Sequence, residues 1–221
     1  MSTAFLMACL LGHIGANLSQ AQVGKLYPVD EAYEDSTFIA FRLHLLEAIA
    51  ARDTSFLFAH VDKGIRTSFG AGGGLADFKE RWRPSSPKSD LWRTLGRIVG
   101  GGGIYRDGMF QAPYYYAAFP GEEHDPFQHG VVIGQNVNVR SRPDITSPVL
   151  TRLSYDIVRV ESYPTQSDRA IASADDWVHV RLADGREGYV SSRYIGNPVG
   201  YRAIFNYHDG KWRMTALVAG D

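Results

Sequence analysis

From Thr37 to Ala51, apolar residues fall at Phe38, Phe41, Leu45, Ala48 and Ile49, the spacing that keeps one face of an α-helix apolar. Ser36 stands where its hydroxyl can cap that helix, and Asp53 stands likewise before a second, short helix over Thr54–His60. The period then changes. Over Gly64–Phe69, Ile65, Thr67 and Phe69 share one side, as in a half-buried strand. Gly70 and Gly72–Gly74 interrupt the chain before a short helix at Leu75–Trp82. Arg83–Ser89 reads as a Pro/Ser loop, with Ser89 capping a helix over Asp90–Val99 that Gly100–Gly103 ends. Phe110–Phe119 is an aromatic strand candidate in which Pro113 restricts the strand to an edge or to its start. Pro120–Phe127 is loop-like.

From Val131 onward the period is two. Val131, Ile133, Val137 and Val139 alternate toward a core, and Val149–Tyr163 holds two runs broken at Ser154-Tyr155-Asp156. A polar excursion spans Gln166–Ala174. Trp177, His179 and Arg181 then oppose Val178, Val180 and Leu182 across a strand. Ala183-Asp184-Gly185-Arg186 predicts a tight hairpin turn, since Asp-Gly accepts positive φ angles, and Gly188–Tyr194 returns. A second such pair, Asp209-Gly210, joins Tyr201–His208 to Lys211–Val218. A lone hairpin is marginally stable in water, so this one must join another sheet or pack on a neighbour. The fold class expected is α+β: an α+β region over 22–127, a small β-barrel over 128–197, and a hairpin over 198–221. That hairpin either completes the first region's sheet or packs on the barrel.

Composition narrows the function. The 221 residues carry 23 Lys+Arg against 24 Asp+Glu, a net charge of −1, which excludes coating nucleic acid by phosphate neutralisation. No apolar stretch reaches the roughly 18 residues needed to span a bilayer. A single cysteine excludes an internal disulfide framework and a multi-thiolate metal site within one chain. Ala4–Leu11 is a short apolar run, and Ser19-Gln20-Ala21 has the small-x-small form of a cleavage site. Residues 1–21 therefore read as a secretory signal peptide, although no Lys or Arg precedes Lys25. The mature chain is expected in the periplasm or cell envelope.

No residue set demands catalysis. A cysteine peptidase needs a thiol beside a histidine, and Cys9 lies in the leader. Glu122-Glu123-His124-Asp125 with His129 matches no zinc-binding spacing and reads as a solvated acidic loop. Ser191 and Ser192 lack a Gly-x-Ser-x-Gly elbow. The glycine clusters lack the Gly-Lys-Ser/Thr of a phosphate loop. Asp62, Arg66, Trp92 and Tyr114–Tyr116 are candidates to line a pocket in the α+β region. No catalytic residue, metal or cofactor is assigned.

The segment Gln135-Asn136-Val137-Asn138-Val139-Arg140-Ser141-Arg142-Pro143 resembles the opening strand and first loop of a bacterial SH3 domain. Trp177 through Ile195 resembles its closing half. The resemblance covers about residues 129–197, and the insert Pro164–Ala174 departs from it. It implies a small barrel of the kind that binds peptidoglycan or its stem peptides in exported proteins. Arg140, Arg142, Tyr155, Trp177, Tyr189 and Tyr194 are the candidate ligand-binding residues, offering guanidinium and aromatic faces to a carboxylate-bearing peptide. Separately, the helix from Phe38, the strand at Ile65–Phe69 and the ending Gly210-Lys211-Trp212-Arg213-Met214 resemble cone-shaped nuclear-transport-factor-like domains. The function expected is non-catalytic envelope binding, of peptidoglycan stem peptide or a protein partner. The alternative is a small-molecule-binding or hydrolytic α+β domain that the barrel targets to the wall.

Overall fold

A computed structural model describes residues 24–70, 72–164 and 176–220. The signal peptide read at residues 1–21, and nearly all of the insert after Pro164, lie outside the described residues. Helix α1 (Ser36–Ala51) starts one residue before its expected position, because Asp35 and not Ser36 is the cap. The Asp35 carboxylate accepts from the N–H groups of Thr37 and Phe38, and a carboxylate there also meets the positive end of the helix dipole. Asp53 caps α2 (Thr54–His60) in the same way. After β1 (Val61–Arg66) come α3 (Gly74–Trp82) and α4 (Leu91–Val99), whose Leu91 N–H bonds the Ser89 hydroxyl. Strands β2 (Ile104–Arg106) and β3 (Met109–Ala112) follow. The aromatic run after Pro113 is not strand. It turns into the short helix α5 (Tyr114–Ala117), since proline suits the entry to a helix better than the middle of a ladder.

The second stretch holds the strands β4 (His129–Val132), β5 (Val137–Arg140), β6 (Val149–Leu153), β7 (Ile157–Ser162), β8 (Trp177–Arg181), β9 (Glu187–Ser191) and β10 (Ile195–Gly196), with a 3-10 turn at Ser192–Tyr194. The closing hairpin is β11 (Arg202–His208) and β12 (Lys211–Val218).

Two sheets result. The first has the order β1-β12-β11-β3-β2, so the two C-terminal strands lie between strands from the first half of the chain. Of the two placements open to the hairpin, it takes the one in the N-terminal sheet: β12 pairs parallel with β1, and β11 pairs antiparallel with β3. Helix α1 covers this sheet through Phe38, whose ring lies 4.2 Å from Phe110 and 4.8 Å from Trp212. Helix α4 adds Leu91, Leu95 and Ile98 to the same core.

The second sheet has the order β10-β4-β7-β8-β9-β5-β6. The expected barrel is corrected here. The sheet is open, with β10 and β6 as its two edges and, among the described residues, no ladder joining them. It still wraps a core of its own, in which Val137, Val139, Val158, Val178, Val180 and Val190 bury their side chains. The two sheets meet through Tyr114 and Tyr115, which pack on Val131 and Ile157. The Arg97 guanidinium crosses the junction to the carbonyls of Ser192 and Ile195, and Lys25 pairs with Asp156 at 2.8 Å.

Candidate binding face

Alternation along β8 and β9 builds a polar outer face. Val178, Val180, Gly188 and Val190 are buried, which leaves Trp177, His179 and Arg181 facing outward beside Ser191, Tyr189 and Glu187. Trp177 is opposite Ser191, so it is a diagonal neighbour of Tyr189 on the same face. Strand β5 joins this face because Gly188 allows it close. A Cβ at Gly188 would lie 2.6 Å from Val139 Cγ1 and 3.0 Å from the Arg140 carbonyl oxygen. Arg140 is thereby placed directly opposite Tyr189. The hairpin turn between β8 and β9 needs positive φ only at Gly185, at +84°. The second Asp-Gly turn uses both residues, Asp209 at +51° and Gly210 at +76°.

Charges tile this face. Arg181 reaches Glu161 and Glu187, each at 2.8 Å, and Arg159 lies 3.3 Å from Glu161. The hydrogen bond from Arg181 holds the Glu161 carboxyl below the usual carboxylate range and raises the guanidinium in return. His179 lies flat on Tyr189 and sets Nε2 3.0 Å from a Glu187 oxygen. The result is a surface of planar groups with fixed charges at its side.

The six expected binding residues fall into separate places. Arg140, Tyr189 and Trp177 share the outer face. Arg140 also gives Nη1 to the Ser147 carbonyl at 2.6 Å, so it holds the loop after β5 as well. Arg142 is exposed in that loop, where its carbonyl accepts from the Ser147 hydroxyl. Tyr155 and Tyr194 instead flank the segment after β4. Tyr155 N–H donates to the Gly134 carbonyl, and the Tyr194 carbonyl accepts from Ile133 N–H. Tyr155 packs on Tyr27 at 5.4 Å, an aromatic contact that no sequence pattern pointed to. His179 and Arg181, already placed beside Trp177 by the alternation, and Glu187 were not among the six expected binding residues, yet they share this face. The alternation that exposed Trp177 exposes them equally.

The pocket candidates of the first region scatter. Trp92 is buried, with its Nε1–H on the Pro84 carbonyl, and Asp62 faces His208 at 3.2 Å. Arg66 lies over the Phe69 ring, and Tyr116 lies under Arg202. Tyr114 and Tyr115 alone of this set line the cavity at the junction of the sheets. In the acidic loop, His129 Nδ1 bonds the Asp125 carbonyl, and the Asp125 carboxylate takes the Phe127 N–H. Among the described residues no cluster of His, Cys, Asp or Glu is arranged to hold a metal ion.

Residues 135–196 match the family model of the bacterial SH3 domain. The matched segment starts just before β5 and ends at β10, so it contains the outer face in full. Strand β4, which pairs with both β7 and β10, extends the SH3-like sheet beyond the match. A bacterial SH3 domain implies a binding role, toward cell wall or protein. No curated protein and no solved structure matches the chain. No helix among the described residues is long and apolar enough to cross a membrane.

Proposed function

We propose that this is a non-catalytic binding protein of the bacterial cell envelope, exported behind residues 1–21, whose SH3-like sheet holds peptidoglycan through its stem peptides. One scaffold made from residues 22–127 and 198–221 carries that sheet, a reading supported by the pairing of β12 with β1 and of β11 with β3. The observation that carries the binding role is the outer face. There Arg140, Tyr189 and Trp177 occupy neighbouring positions of one face within the segment that matches the bacterial SH3 family. A guanidinium recognises carboxylates by paired hydrogen bonds, and aromatic faces take the intervening apolar chain.

The test is retention of the chain from Gln22 onward on purified peptidoglycan sacculi. The wild type is expected to sediment with the sacculi. Trp177→Ala and Tyr189→Ala are expected to be retained several-fold less while melting as cooperatively as the parent. A folded wild type left wholly in the supernatant overturns wall binding and turns the search to an envelope protein as partner.

A further inference from the structure

An open cleft of about 570 Å³ lies between the start of α1 and the strands β2, β11 and β12. Three aromatic residues line it: Tyr105 of β2, Tyr207 of β11 and Trp212 of β12. Tyr207 and Trp212 are opposed across the β11–β12 ladder, with ring centroids 5.5 Å apart and planes at 61°. Tyr105 lies 6.4 Å from Trp212, at 48°. The rings are inclined to one another, so they form a corner and not a stack. Trp212 is buried and held by its Nε1–H on the Thr37 hydroxyl at 3.0 Å, which makes it the back of the corner. Tyr207 is 53% exposed and makes the open side. At Gly108 the wall has no side chain, and nothing lies within 4 Å of its Cβ position.

The charges at the cleft have one sign. Glu34 and Asp35 line it, and no Lys, Arg or His does so among the described residues. Arg42 is spent on Asp30 at 2.7 Å, and alternation turns Lys211 and Arg213 to the face of β12 opposite Trp212. Glu34 forms no ion pair among the described residues, and Asp35 takes its hydrogen bonds on Oδ1, which leaves Oδ2. Burial, and then Asp35 and Glu34, push the Tyr105 hydroxyl up to about 12, so the negative field reaches the aromatic wall. These carboxylates are not arranged to hold a metal ion. Ring faces attract a cation through their quadrupole and also cover its apolar substituents, which a bare acidic surface cannot do. We propose that this cleft binds an organic cation of the quaternary or N-alkylated ammonium class, with its alkyl groups against Tyr207 and Trp212 and its charge facing Glu34 and Asp35. This site belongs to the first sheet, is separate from the outer face of the SH3-like sheet, and stands without it.

The experiment titrates the full chain by calorimetry, at low and constant ionic strength, with choline and with the neutral alcohol in which carbon replaces the choline nitrogen. Choline is expected to bind saturably at one site, and the alcohol at least about tenfold more weakly, since rings and carboxylates both act on the charge. Tyr207→Phe keeps the ring and is expected to bind choline as the wild type does. Tyr207→Leu removes the ring and is expected to weaken choline by about fivefold to tenfold. Glu34→Gln removes an exposed charge and is expected to weaken choline by about twofold to fivefold. All three variants change exposed side chains and are expected to melt cooperatively. Equal binding of choline and the alcohol, no saturable binding of choline, equal losses in Tyr207→Phe and Tyr207→Leu, or wild-type affinity in Tyr207→Leu or in Glu34→Gln overturns the proposal.

Discussion

His179 stacks on Tyr189 with ring centroids 4.8 Å apart and planes 13° from parallel. They are opposed across the β8–β9 ladder, and Glu187 anchors the imidazole from the adjoining position of the same face. A cross-strand aromatic pair of this kind contributes about 0.5–1.5 kcal/mol beyond the area it buries. His179→Ala is therefore expected to lower unfolding free energy by about 1 kcal/mol, and His179→Phe by much less, because phenylalanine keeps the stack. Urea unfolding with a constant m-value reads the difference. Equal losses in the two variants would show that the Glu187 contact, and not the stack, is what His179 supplies.

Asp35 gives the fold an acid-sensitive point. Its Oδ1 accepts from the Thr37 hydroxyl at 2.6 Å and from the backbone N–H groups of Thr37 and Phe38. The Thr37 hydroxyl bond, followed by the backbone bonds against a partial offset from burial, holds the carboxyl below its ordinary value of 3.8. A carboxyl with a lowered folded-state pKa stabilises fully above its unfolded value, and that stability is lost as pH falls through the folded one. Asp35→Ala is expected to cost about 1 kcal/mol at neutral pH. Asp35→Asn is expected to keep most of the cap and to flatten the loss of stability below about pH 4, since asparagine caps without titrating. Melting temperatures across pH 2.5 to about 7 would refute this if the asparagine variant followed the wild type in acid.

Gly188 is where two strands come too close for a side chain. With Val139 Cγ1 at 2.6 Å from the position a Cβ would take, and the Arg140 backbone at 3.0 Å, Gly188→Ala must push β5 off β9. Overpacking of this kind costs about 1–3 kcal/mol. It also separates Arg140 from Tyr189, so wall retention is expected to fall with stability. Gly121→Ala is the control, because nothing lies within 4 Å of its Cβ position. Chemical denaturation of the pair tests the claim. A neutral Gly188→Ala would mean that the ladder can give way at no cost.

Local chemistry was readable wherever it was periodic or short-ranged. The apolar face of α1 and the Asp53 cap followed directly from spacing and from a carboxylate before an apolar run. The α1 cap was read one residue late because Ser36 and Asp35 both suit the position, and only backbone geometry chooses between them. Alternation made the inward valines of β5 and β8 legible, but on β4 it set Val131 inward where Val132 enters this core and Val131 packs at the junction, and the sheet's failure to close was not legible. Closure depends on whether the edges β10 and β6 meet, which no alternation encodes. The split of the six expected binding residues has the same origin. Period two places Trp177 and Tyr189 on a face, but Tyr155 and Tyr194 are positioned by turns around Gly134.

The placement of the last strands has the largest consequence. Because β12 and β11 lie between β1 and β3, removing residues 201–221 leaves β1 without a neighbour and β3 paired with β2 alone. The same cut removes Trp212, which packs on Phe38 at 4.8 Å and gives its Nε1–H to the Thr37 hydroxyl at 3.0 Å. Burying an aromatic side chain of this size is worth about 3–5 kcal/mol when it is truncated to alanine. Trp212→Ala alone is expected to cost that much, a large share of a domain stability of about 5–15 kcal/mol. Truncation after Gly200 is expected to abolish the folding of the helical region while the SH3-like sheet, with its separate valine core, keeps its amide protection. Hydrogen exchange read by mass spectrometry distinguishes the outcomes. Protection persisting in α1 and α4 after truncation would mean that these helices hold together without the strands they cover. Joint loss of protection in both sheets would mean that the junction at Tyr115 and Arg97 makes the molecule one cooperative unit.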